Sequence, residues 1–228
     1  MTMLTDAPPR RKASHKLFLD SDRLAILPLP PDQKLPVLAA RIETVMMAGT
    51  PTDVRAVCDQ FLKAAADFYA VPKCPVRVLS ARPLRVHEYS RTELFGDYHP
   101  DTNGIRVWMR TAVRKEVTSF GTFLSTRCHE FCHHLDFHRF SFRNSWHTRG
   151  FYQRTAALYH HAKGTPMKQL VWVPVARGRW RIDWQRTHRG TVALGFPSKT
   201  LCAPKVSTAL DGNIDVDLPR CVDFSSKR

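Results

Sequence analysis

The sequence predicts an α+β fold in which helices pack on a small antiparallel sheet. Apolar residues recur at helical spacing in two blocks, residues 34–71 and 117–163, and between them short β-branched runs alternate with turn residues. There is no internal repeat and no low-complexity tract, so repeat architectures are set aside. With 228 residues, 43% of them hydrophobic, the chain can bury one ordinary core plus extensions.

Residues 1–33 are rich in Pro and charge (APPRRKASHK, LPLPPDQK), a composition that predicts a flexible N-terminal arm. LPVLAARIETVMM then reads as a short helix ended by Gly49. Thr50 is the expected N-cap of the next helix, with Pro51 at its first position and Val54, Val57, Phe61, Leu62 and Ala65 on one face. PVRVLS and LRVHEY read as strands, and HPDTNG supplies a turn before a third strand, IRVWMR. A long helix is expected over about residues 117–140, and another over WHTRGFYQRTAALYHHAK, broken by Gly164 and Pro166. Residues 34–166 thus form the expected main domain. Residues 167–228 form a basic extension of irregular and strand-like pieces, where VARGRWRIDWQRTHRG reads as a hairpin with a basic face and inward Trp or as a surface that tracks phosphates.

The formal charge of +15 predicts a positive surface that attracts nucleic acid or acidic partners. No apolar run reaches membrane-spanning length and no signal-peptide core follows the N-terminal basic residues, so a cytoplasmic protein is expected. The six cysteines show no CxxC pairing, which predicts reduced, mainly buried thiols.

The chemistry concentrates in residues 128–140, CHEFCHHLDFHRF. His129-Glu130-Phe131-Cys132-His133 is an HExxH segment, and two imidazoles four residues apart on a helix stack one above the other and can address one ion. Its chance occurrence in a chain of this composition is on the order of 0.01. Glu130 stands beside the pair, where it can take a proton from a water on the metal without displacing it. Leu124, Cys128, Phe131, Cys132 and Leu135 fall on the opposite, apolar side, so Cys128 and Cys132 read as core.

A catalytic zinc takes three protein ligands and keeps one position open. The HExxHxxGxxH arrangement does not supply the third ligand, since Asp136 stands at its Gly and Arg139 at its last His. His134 and His138 point away from the pair. His147 is better placed: the intervening segment is long enough to finish the helix, turn, and start a second helix capped by Asn144 or Ser145, with Phe151 one turn beyond His147. Asp136 reads either as an acceptor that orients a ligand imidazole or as a surface acid. His160 and His161, at a helix end, read as structural.

HEFCHH followed by WHTRGF resembles the SprT-like zinc metallopeptidases over about residues 50–165. The resemblance implies a minimal zincin fold in which His129, His133 and His147 bind Zn2+ and Glu130 is general base and acid. It also implies that the strand before the helix lines the cleft, so IRVWMR is expected to pair with an extended substrate unless it is merely a sheet edge with Trp108 in the core. Thr148 stands where the family often has Gly, and the four-cysteine ribbon many members carry has no counterpart in residues 167–228. The expectation is therefore a zinc-dependent peptidase acting on protein or peptide, with a basic surface suited to nucleic acid. The alternatives are a non-enzymatic nucleic-acid-binding protein with a structural metal, and a regulatory peptidase with one protein target and no DNA contact.

Overall fold

The computed structural model describes residues 3–87 and 90–190, and the side chains among them except those of 85–92. Helix α1 spans Lys12–Arg23, α2 Lys34–Ala48 and α3 Pro51–Tyr69. Thr50 caps α3 through a reciprocal box: its hydroxyl accepts from the Asp53 amide, and the Asp53 carboxylate accepts from the Thr50 amide, with Pro51 at the first helical position as expected. Strands follow at Val76–Ala81 (β1), Leu84–His87 (β2), Ser90–Glu93 (β3), Gly96–His99 (β4) and Gly104–Arg110 (β5). Two long helices come next, α4 at Phe120–His138, capped by Ser119, and α5 at Arg149–Lys163. The chain continues through β6 (Trp172–Val175), β7 (Arg179–Ile182) and α6 (Trp184–Arg189). The fold is α+β.

The main sheet has the order β1-β5-β4, with β5 antiparallel to β4 and parallel to β1. It is therefore mixed and not purely antiparallel, because the chain passes through the β2–β3 hairpin and β4 before β5 returns in the direction of β1. This order also corrects the expectation for IRVWMR. That strand, β5, is hydrogen-bonded on both sides and sits in the middle of the sheet, with Trp108 buried, so neither of its edges can receive a substrate. The outer strand that packs on α4 is β4, whose short GDYH sequence carries no strand signal.

α4 runs through the core. Leu124, Cys128, Phe131, Cys132 and Leu135 are buried against α2, α3, α5 and the sheet. Arg127, on the same helix and fully buried, lays its guanidinium over the Phe61 ring at 4.2 Å and donates to Cys58 Sγ at 2.9 Å, which ties α4 to α3. Cys58, Cys74, Cys128 and Cys132 are buried free thiols. Among the described residues no helix is long and apolar enough to cross a membrane.

Residues 1–33 are not the flexible arm their composition suggests. α1 buries Phe18 and Ser21, and Phe18 meets Trp146 edge-on at 5.8 Å. The segment's polar groups find partners far along the chain: the Ser21 hydroxyl lies 3.1 Å from Thr148 Oγ1, and Asp22 accepts from the Arg149 amide at 2.9 Å. Composition overlooks this because it counts charge without knowing where each charge is satisfied. The β6–β7 hairpin, beyond the expected boundary at residue 166, belongs to the same compact unit as the described residues before it. On β7 the Trp180 ring lies under Arg149 of α5 at 4.6 Å, and in α6 Trp184 stacks on His188, so both indoles are engaged within the protein. The remainder of the expected 167–228 extension, with Cys202 and Cys221, lies outside the described residues.

Gly150 lets α1 approach α5. A Cβ there would sit 2.2 Å from the Ser21 carbonyl oxygen and 2.8 Å from those of Asp22 and Leu24. Because backbone atoms cannot yield as a flexible side chain does, Gly150→Ala is expected to destabilise the fold by about 1–3 kcal/mol. Urea denaturation reads this as a lower midpoint with an unchanged slope.

Candidate metal centre

His129 and His133 lie on successive turns of α4, and His147 lies just before α5, where the Thr148 hydroxyl caps the helix by accepting from the Phe151 amide at 3.1 Å. The cap is thus Thr148 and not Asn144 or Ser145. The three rings converge. His129 Nε2 is 3.0 Å from His147 Nε2 and 3.2 Å from His133 Nε2, and one ligand nitrogen from each lies within 4.8 Å of the others. Two nitrogens bound to a tetrahedral zinc at about 2.0–2.1 Å stand roughly 3.3 Å apart, so the spacing fits one small cation. The donor set fits too, since three imidazole nitrogens leave a fourth position for solvent or substrate.

His129 and His133 are held neutral, as metal-binding imidazoles must be. Burial and the neighbouring His147 push His129 down to about 3, and burial with the other two imidazoles drives His133 well below the ordinary histidine range. Phe151 forms the floor, its ring centroid 4.9, 4.5 and 5.2 Å from those of His129, His133 and His147.

A polar chain orients His133. The Ser145 hydroxyl donates to Asp136 Oδ2 at 3.0 Å, so it receives the proton of His133 Nδ1, 2.7 Å away, and leaves the Nε2 lone pair facing the other rings. Ser145 holds this place in the left-handed region, at φ 39°. Asp136 Oδ1 accepts from Arg154 at 2.7 Å, and both side chains are buried. Asp136 is therefore the orienting acceptor and not a surface acid. Burial pushes its carboxyl up to about 6, against the opposing pull of Arg154 and Ser145.

Glu130 is buried beside the triad and opens into the same cleft, of about 420 Å³, whose walls include Gly96, Asp97, Tyr98 and Phe137. Burial, with Asp97 adding to it, pushes Glu130 up to about 8. A cation at the triad would oppose that shift. Gly96 brings β4 against α4 at this point: a Cβ would meet Thr126 Cγ2 at 2.6 Å and Glu130 Cγ at 3.2 Å.

His134 and His138 stand apart from the triad, as expected. His134 is buried, not a surface residue, with Nδ1 3.1 Å from the Tyr98 hydroxyl and Nε2 3.0 Å from the Pro72 carbonyl, while His138 lies 2.7 Å from Asn103 Oδ1. His160 Nδ1 lies 2.9 Å from Thr165 Oγ1 at the end of α5, a structural contact. Sequence reasoning missed Ser145 as an orienting residue, Arg154, and Asp6, which contacts His147 from 141 residues away. Only Ser145 carried a local signal, as a short polar residue in the turn before His147. Compared with protein-family models, with curated proteins and with solved structures, the chain has no match.

Proposed function

We propose that the protein is a zinc-dependent peptidase of the SprT-like kind, with His129, His133 and His147 as the zinc ligands and Glu130 as general base and acid. The observation that carries this reading is the convergence of three imidazoles beside a buried carboxylate that opens into the same cleft. Zinc, when bound, supplies the positive charge that polarises the scissile carbonyl and makes a water acidic near neutral pH.

The rest falls to the chain's own groups. Glu130 takes a proton from the attacking water as its oxygen bonds to the carbonyl carbon, and delivers that proton to the amine nitrogen as the C–N bond breaks. Arg154, Asp136 and Ser145 keep His133 in one tautomer throughout. The outer edge of β4, whose Gly96, Asp97 and Tyr98 line the cleft, is the edge along which an extended substrate adds as a further strand. The charge of +15 supports association with nucleic acid in the same reading, and the four buried free thiols support a reducing, cytoplasmic setting.

Elemental analysis together with cleavage of an unfolded protein substrate tests the proposal. The purified chain is expected to hold about one zinc and His147→Ala to lose it. Metal content unchanged in His147→Ala would remove that ring from the site, and cleavage indifferent to chelation would remove the metal from the reaction.

A further inference from the structure

His129 and His133 inherit their positions from α4, but His147 stands in a turn and must be held by something else. What holds it comes from the start of the chain. Residues 3–6 lie along β7: the Ile182 amide donates to the Met3 carbonyl at 3.2 Å, the Thr5 amide donates to the Trp180 carbonyl at 2.8 Å, and the Trp180 amide donates back to Thr5 Oγ1 at 2.8 Å. The Tyr152 hydroxyl, from α5, donates to the Leu4 carbonyl at 3.2 Å.

This segment ends on the third ligand. The Asp6 amide donates to the His147 carbonyl at 3.0 Å, and the His147 amide donates to Asp6 Oδ2 at 2.9 Å. The same carboxylate oxygen faces His147 Nδ1 at 3.5 Å, on the side of the ring opposite the nitrogen that meets His129. Ligating histidines usually present the nitrogen that does not bind metal to a carboxylate, a carbonyl or a water, which fixes ring and tautomer. For His133 the Ser145–Asp136 chain fills that place.

We propose that Asp6 is a positioning residue that fills it for His147, and that the segment of residues 3–6 is a built-in brace of the metal centre. The brace rests on the reading of the triad given above. It grips the ligand twice, through the main chain and through the ring, and the two grips can be separated. Asp6→Asn keeps an oxygen to accept from the His147 amide but removes the charge facing Nδ1. Asp6→Ala removes both.

The test measures Zn2+ affinity of the full chain by competition with a chromophoric chelator, and the visible spectrum of the Co2+-loaded protein. Asp6→Asn is expected to bind Zn2+ about 10-fold more weakly and Asp6→Ala about 100-fold, the range found when carboxylate partners of ligating histidines are removed. The Co2+ bands should shift in both, a change that mere loosening of the N-terminal segment away from the site would not produce. Zn2+ affinities and Co2+ spectra like those of the unaltered chain in both variants would overturn the brace. Should Asp6→Ala fail to fold, the near-isosteric Asp6→Asn decides alone. An unaltered chain that binds no Zn2+, or a His147→Ala variant that binds it equally well, would instead overturn the metal centre and the brace with it.

Discussion

Glu130→Gln is expected to keep about one zinc per chain while peptide hydrolysis falls by ~10²–10⁴-fold, the usual contribution of a positioned general base. The amide has nearly the shape of the carboxylate, so it occupies the same space beside Gly96 and Thr126, where a Cβ on Gly96 would already stand 3.2 Å from Glu130 Cγ. What it loses is the ability to accept a proton from water and return it to the leaving amine. The three imidazoles are untouched, because the Glu130 side chain departs from α4 beside the ligand pair and not between its members. A variant that retained full activity with full metal content would show that the base is another group. Metal lost along with activity would show that Glu130 is a ligand. The measurement therefore needs metal content and turnover on the same preparation.

The second large effect is on stability. Asp136→Ala should cost about 3–5 kcal/mol, the range for removing one partner of a buried ion pair, because it leaves the Arg154 guanidinium charged, without its carboxylate, in the interior. Both side chains are essentially inaccessible, and the pair is made at 2.7 Å. Arg154 would retain only the carbonyls of Ser21 and Leu24, and its Nε already has no partner. Chemical denaturation of Asp136→Ala, Arg154→Met and the double variant measures the pair. The double variant should recover much of the loss, because an apolar pair of similar volume avoids the desolvation of both charges. A single-variant cost below about 1 kcal/mol would mean that the interior solvates the arginine by other means.

What the sequence made legible and what it did not divides by distance along the chain. Thr50, Pro51 and Asp53 announce a helix start because the capping box is complete within four residues, and His129, Glu130 and His133 announce a candidate ligand pair with a carboxylate beside it because helical geometry fixes their relation. His147 was reachable by counting residues across one turn. The sheet was not. IRVWMR reads as a strand, but whether it is central or outer depends on β1 and β4 pairing from either side, and β4 is a GDYH segment of low strand propensity. The N-terminal segment was misread for a related reason: Asp6, Ser21 and Asp22 look like solvent-facing polar residues, and their partners lie 127 to 141 positions away. Asp136 stood open between two readings until Arg154 and Ser145 were placed beside it.

The tie between Asp6 and His147 also orders events as the polypeptide acquires its shape. Residues 3–6 are synthesised long before residue 147, and their contact closes a loop of 141 positions, at a chain-entropy cost of about 4 kcal/mol plus a constant. Short-range pieces such as the capped α3 and the β4–β5 hairpin form without meeting that cost. The third imidazole is therefore expected to reach its final orientation late in folding, together with docking of the first residues.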